Sequence, residues 1–259
     1  MAITGTDQHD TLTRTAVADT LLAAMGLESW VDSDGPGAGL WRGGATPPVP
    51  RIENVAVIRN LPCFTSGTLI ETKRGQVAVE KLRPGARVLT RDNGYRPIRW
   101  IGRRRLGAGD LAAAPQLQPV RIAAGALGEG LPETDMLVSG QQRMLMSGAR
   151  AELLFGEAEV LAAAAHMLGQ PGITRHRCAE VTYLYLMFDA HEIIRADGAW
   201  TESFQPGEPT LAHLDAPQRA ELAAIFPDLE KTLPRGRWTA ARRALEPHEV
   251  RVLMRRNAA

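Results

Sequence analysis

From Thr68 to about Ile101 the chain is a succession of short apolar segments broken by tight-turn residues, and this pattern constrains the fold more than any other feature. TLIET, QVAVEKL, ARVLT and YRPIRWI alternate or cluster apolar side chains, and Arg74-Gly75, Pro84-Gly85 and Asp92-Asn93-Gly94 punctuate them. Further strand-like stretches follow at PVRIAA, DMLVSG, RMLMSG, TYLYLMFD and HEIIRAD, the last two reading as paired strands with Trp200 and Phe204 closing the core. A short helix beginning at Asp110 interrupts the series, and the Ala-rich EAEVLAAAAHML reads as partly helical. Many short strands at regular spacing predict a closed or strongly coiled all-β body.

Both flanks read differently. Leu12, Val17, Leu21, Leu22 and Met25 recur near helical spacing ahead of Gly26, and the stretch from Val31 to Pro50 is a Gly/Pro-rich linker. IENVAVIRN then alternates like a strand. After Pro206 helical patterns return near 216–226 and, in a basic form, near 238–256. The division expected is therefore 1–50 as N-terminal helix and linker, 51–207 as the β domain, and 208–259 as a helical extension.

Bulk chemistry narrows the function. With 44% hydrophobic and 23% charged residues the 259-residue chain has an ordinary globular composition. A net charge of +1 gives no field suited to nucleic acid or an acidic surface. The two cysteines, Cys63 and Cys178, are far apart and make neither a disulfide framework nor a metal spacing, so they are expected as free thiols, with no metal or organic cofactor. The N-terminus MAITGTDQHD lacks the layout of a secretory signal, and no run approaches the roughly 20 apolar residues of a membrane helix. The expectation is a cytoplasmic protein without membrane contact, leaderless export being the alternative.

A lone Cys is most often a small buried hydrophobe. Cys63 instead opens the β domain, in Cys63-Phe64-Thr65-Ser66-Gly67-Thr68, with a Gly that permits a tight turn behind it and hydroxyl residues close by. That setting suits a nucleophile.

The stretch CFTSGTLIETKRGQVAVEKLRPGARVLTRDNGYRPIRWIGRRR resembles the opening of a bacterial Hint-domain family related to inteins and the hedgehog C-terminal domain. PVRIAAGALGEGLPETDMLVSGQQRMLM resembles that family's middle motif, and LYLMFDAHEIIRADGAWTESFQPG its closing motif. The resemblance implies a horseshoe-like β fold with short helices. It implies autoprocessing: the Cys63 thiol attacks the carbonyl of Pro62, turns the Pro62–Cys63 peptide bond into a thioester, and water or another nucleophile resolves it. The substrate is then the chain's own N-terminal segment, in cis.

The resemblance also assigns roles. In the family a motif like Ser-Pro-Gln-His-Arg supplies the proton donor; here it reads Ser139-Gly140-Gln141-Gln142-Arg143, so Gln142 stands at the His position. A Gln donates a hydrogen bond but hands over no proton. His191 is the remaining His in a family motif and the candidate to assist the acyl shift or the resolution step; otherwise it satisfies a turn hydrogen bond. His166 and Cys178 read as structural. Thr201-Glu202-Ser203 occupies the place where inteins carry His-Asn, so complete splicing is not expected. The rival reading is a catalytically degenerate Hint fold kept as a structural or interaction module. An Arg-rich helix including Arg242, Arg243, Arg251 and Arg255 would be the route to nucleic acid, but Glu246 and Glu249 interrupt it and no such partner is expected.

Overall fold

A computed structural model describes residues 61–205 and 239–255. The predicted N-terminal helix, the Gly/Pro linker, the strand at 52–60 and the helix near 216–226 lie outside the described residues. Fifteen strands form two sheets among those described.

The first sheet has six antiparallel strands. Its centre is β1 (Phe64–Thr65), flanked by β8 (Met136–Val138) and β12 (Val181–Met187). Beyond β8 come β7 (Val120–Ile122) and β11 (Ile173–Arg175), and β6 (Trp100–Leu106) closes the other side. β12 and β6 pair over seven residues, from Val181 opposite Leu106 to Met187 opposite Trp100. Successive side chains of a strand point to opposite faces, so Val181, Tyr183, Tyr185 and Met187 enter one apolar cluster while Leu184 and Leu186 enter another. Both faces of β12 are buried. That is why TYLYLM reads as a near-continuous apolar run.

The second sheet runs in the order β15 (Arg243–Ala244), β10 (Glu159–Ala163), β9 (Arg143–Ser147), β14 (Ala199–Glu202), β13 (Ile193–Ala196), β2 (Leu69–Thr72), β4 (Arg87–Thr90) and β5 (Gly94–Pro97), with β3 (Gly75–Ala78) on β2. The turn between β13 and β14 is Asp197-Gly198, with φ of 46° and 79°, and Ala196 pairs with Ala199 across it. Two left-handed residues give a turn whose twist matches the flanking strands. The Asp197 carboxylate also accepts the Leu69 N–H at 2.9 Å and so ties this hairpin to β2.

Two expectations change, and a third, the partly helical Ala-rich stretch, is narrowed. TYLYLMFD and HEIIRAD do not pair with each other: β12 belongs to the first sheet, and β13 pairs with β14, β2 and β4 in the second. The chain crosses between sheets over 188–192, and the Phe204 N–H returns to the Leu186 carbonyl to link them. The Ala-rich stretch is a strand over Glu159–Ala163, fully paired with β9, and only Ala164–Met167 makes a single 3-10 turn. Burial of Ala162 and Ala163 between elements overrides the helical preference of Ala. The basic segment begins as β15, parallel to β10, and becomes helical only at Pro247–Met254. Its Leu245, Val250 and Leu253 join the main core.

The short helix arises almost where expected. α1 (Ala108–Ala113) has Asp110 in its first turn, whose carboxylate accepts the Gly107 N–H. α2 (Ala149–Phe155) and α3 (Pro247–Met254) complete the described helices, and none of the described helices is long and apolar enough to cross a membrane.

Candidate functional site at Cys63

Cys63 immediately precedes the central strand of the first sheet. Phe64 points into the main core, and Cys63, one residue earlier, points into the second cluster with Leu61, Trp100, Tyr183, Tyr185 and Phe204. Its side chain is fully buried. Trp100, Tyr185 and Phe204 pack with ring centroids 6.0–6.3 Å apart. Burial pushes the thiol well above its ordinary value, while contacts with the Ser139 and Tyr185 hydroxyls pull in the other direction. Burial likewise pushes up the Tyr185 phenol.

Ser139 bridges the bond before Cys63. The Cys63 N–H donates to Ser139 Oγ at 3.0 Å, and the Ser139 hydroxyl donates to the Leu61 carbonyl at 3.0 Å. The Cys63 thiol donates to the same carbonyl at 3.1 Å. In return the Ser139 N–H donates to the Cys63 carbonyl at 2.9 Å. Ser139 thus clasps Leu61, Pro62 and Cys63 from both sides of the Pro62–Cys63 peptide bond.

Gln142 follows in the same turn, its N–H bonded to the Ser139 carbonyl at 3.1 Å. Its side chain is fully buried and turned to β14: Nε2 donates to Thr201 Oγ1 and to the Glu202 carbonyl, both at 2.7 Å. The Thr201 hydroxyl spends its own hydrogen on the Arg143 carbonyl, so it can only accept from Gln142. This fixes the amide orientation and leaves Oε1 buried without a partner.

His191 makes no hydrogen bond to Cys63 among the described residues. Its side chain is buried, Nδ1 accepts the Ala241 N–H at 3.0 Å, and Nε2 lies 3.3 Å from Glu202 Oε2 without hydrogen-bond alignment. Glu202, also fully buried, accepts from the Arg143 N–H at 3.1 Å and from its guanidinium at 3.0 Å. The four residues singled out from sequence therefore fall into two groups. Cys63 and Ser139 are in contact; Gln142 and His191 meet around Glu202, one step removed. Pro62 lies buried between Leu61 and Cys63.

Sequence reasoning missed Tyr185 and Glu202. Tyr185 was visible only as one apolar residue of a strand, and a register assignment for β12 would have been needed to place it with Cys63. Glu202 carried a fainter signal, a lone acid inside an otherwise uncharged hairpin strand. His166 is half-buried, and Cys178 hydrogen bonds Gln118 and packs against the edge of the apolar cluster that holds Cys63. Among the described residues no cluster of His, Cys, Asp and Glu has the makings of a metal site.

A family model described as the Hint domain matches residues 62–208, more than half of the chain. The chain belongs to the Hint domain family. Its two all-β sheets with short helices are a Hint fold, of the autoprocessing type in general. Among solved structures, a triple mutant of the gp41-1 intein is similar at 10% identity, over 54% of this chain and 98% of the intein, with a TM-score of 0.32. No curated protein matches.

Proposed function

We propose that this Hint domain cleaves its own backbone between Pro62 and Cys63. The Cys63 sulfur forms a bond to the Pro62 carbonyl carbon as the carbon–nitrogen bond breaks, and the thiol proton ends on the released Cys63 amine. Water then adds to the thioester, leaving a Pro62 carboxylate and restoring the thiol. The substrate is the segment 1–62, in cis, and the chemistry stops short of splicing.

The observation that carries this reading is the grip of Ser139 on both sides of the bond. A backbone held at the Leu61 carbonyl, one residue upstream of Pro62, and at the Cys63 nitrogen of the bond itself cannot relax away from the nucleophile, which is how positioning lowers a barrier. Ser139 Oγ is also the hydroxyl beside the departing nitrogen, in the place where a proton must arrive. Gln142, His191 and Glu202 act as positioning residues: they anchor the 139–142 turn to β14 and touch no reacting atom.

A specific observation favours a second reading, a silent Hint fold that serves as a structural or interaction module. Cys63 is fully buried with its thiol pushed up, and Gln142 offers no transferable proton. Intact mass separates the two. Purified chain is followed with and without dithiothreitol, with Cys63→Ala as control. Fragments breaking between Pro62 and Cys63, absent in the control, support self-cleavage. An intact 28.1 kDa chain under both conditions rejects it in favour of the module.

A further inference from the structure

Residues 239–255 lie beyond the family match, yet they reach into the buried cluster around Glu202. The His191 ring receives the Ala241 backbone N–H on Nδ1 at 3.0 Å. A nitrogen that accepts a hydrogen bond carries no proton, so the ring proton sits on Nε2. Nε2 in turn lies 3.3 Å from Glu202 Oε2, with both side chains fully buried. No other described group bonds the His191 ring, so a single backbone N–H decides which of its nitrogens is the donor.

The segment is well placed to hold that N–H still. Arg242, the next residue, pairs with Asp92 at 2.7 Å and with Glu159 at 2.7 Å. β15 pairs with β10, and the Leu245 N–H bonds the Leu161 carbonyl at 2.8 Å. Leu245, Val250 and Leu253 are buried in the main core. Four anchors of different kinds therefore fix the backbone on the C-terminal side of Ala241, while its own N–H serves only His191.

We propose that residues 239–255 form a clasp in which the Ala241 N–H fixes His191 as the Nε2–H tautomer facing Glu202, making Ala241 a positioning residue of the processing site. Its consequence for cleavage rests on the self-processing reading above; the tautomer does not. The opposite tautomer would set Nδ1–H against the Ala241 N–H, a repulsive contact in a buried site, and would leave Nε2 without a proton beside the Glu202 carboxylate.

The test reads the tautomer directly. Full-length chain carrying Cys63→Ala, which cannot process itself, is labelled with nitrogen-15, and the His191 ring is observed by long-range proton–nitrogen correlation. The expected pattern has Nδ1 in the unprotonated range and Nε2 in the protonated range. Adding Ala241→Pro, which removes the N–H and also fixes φ at that residue, moves both nitrogens toward the averaged values of an exchanging mixture. Ala241→Ser keeps the N–H and restores the original pattern. A ring with Nδ1 protonated in the Cys63→Ala chain overturns the proposal, and needs no clasp variant to fold. An unchanged pattern in a folded Ala241→Pro chain overturns it as well. In the Cys63 chain, Ala241→Pro slows cleavage roughly tenfold, within the 10²-fold that a 1 Å misplacement can cost. A displaced tautomer with an unchanged cleavage rate would remove His191 from the processing machinery and leave the clasp in place.

Discussion

Gln142 donates to Thr201 Oγ1 at 2.7 Å, and the same amide nitrogen donates to the Glu202 carbonyl. The side chain at the family's His position is therefore spent on anchoring β14. Replacing it by His returns a group that can carry a proton. Gln142→His is expected to raise the rate of fragment formation by about 10²-fold, the lower end of what general acid catalysis contributes. Intact mass against time checks it, and a rate at or below the parent's would show that the donor is not what limits this domain.

Ser139→Ala removes both the acceptor for the Cys63 N–H and the donor to the Leu61 carbonyl. Leaving those buried groups unmatched costs about 1–3 kcal/mol, read by urea unfolding in a Cys63→Ala background. In the Cys63 chain the same change is expected to slow cleavage at least tenfold, since the backbone on both sides of the bond is released. Loss of stability with full cleavage would reduce Ser139 to a structural role.

Alkaline pH acts on Cys63 with a definite sign. Burial raises the folded thiol above its unfolded value. A raised group contributes stability that is fully present below the unfolded pKa and is lost as pH rises above it. With an unfolded thiol near about 8.5, raising the pH to 10 should cost the parent about 2 kcal/mol relative to Cys63→Ala. Cys178 is common to both chains, so the comparison isolates Cys63. Denaturant midpoints at the two pH values test it; equal losses in the two chains would mean that the thiol titrates normally.

Gly102 marks a close approach in the wall of the site. A Cβ there would stand 2.3 Å from Trp100 Cη2 and 2.8 Å from Tyr185 Cδ2, the two rings that pack beside Cys63. Gly102→Ala is expected to cost about 1–3 kcal/mol through overpacking and to shift the tryptophan emission. A thermal midpoint within 1 °C or so of the parent's would show that the rings yield freely.

The strands and turns of the body were readable because they are local: alternation marks β2, β4 and β9, and Asn93-Gly94 marks a hairpin. Which strands pair is a long-range matter, and there the reading of TYLYLMFD with HEIIRAD failed. The Ala run reads as helical in part, and that part is Ala164–Met167; over Glu159–Ala163 burial between elements outweighs a helical preference of a few tenths of a kcal/mol per residue. At the site, Cys63 and Ser139 emerged from motif resemblance. Glu202 and Ala241 did not, because one is a lone acid in a strand and the other contributes only its backbone.

The Leu61 carbonyl receives both the Ser139 hydroxyl and the Cys63 thiol. What the domain grasps upstream of the bond is thus an atom that every residue possesses. Its demands on the upstream partner are those of a short stretch of main chain and a Leu-Pro pair small enough to be enclosed. Under the proposed self-cleavage, a passenger of unrelated sequence joined at that pair would present the same handle.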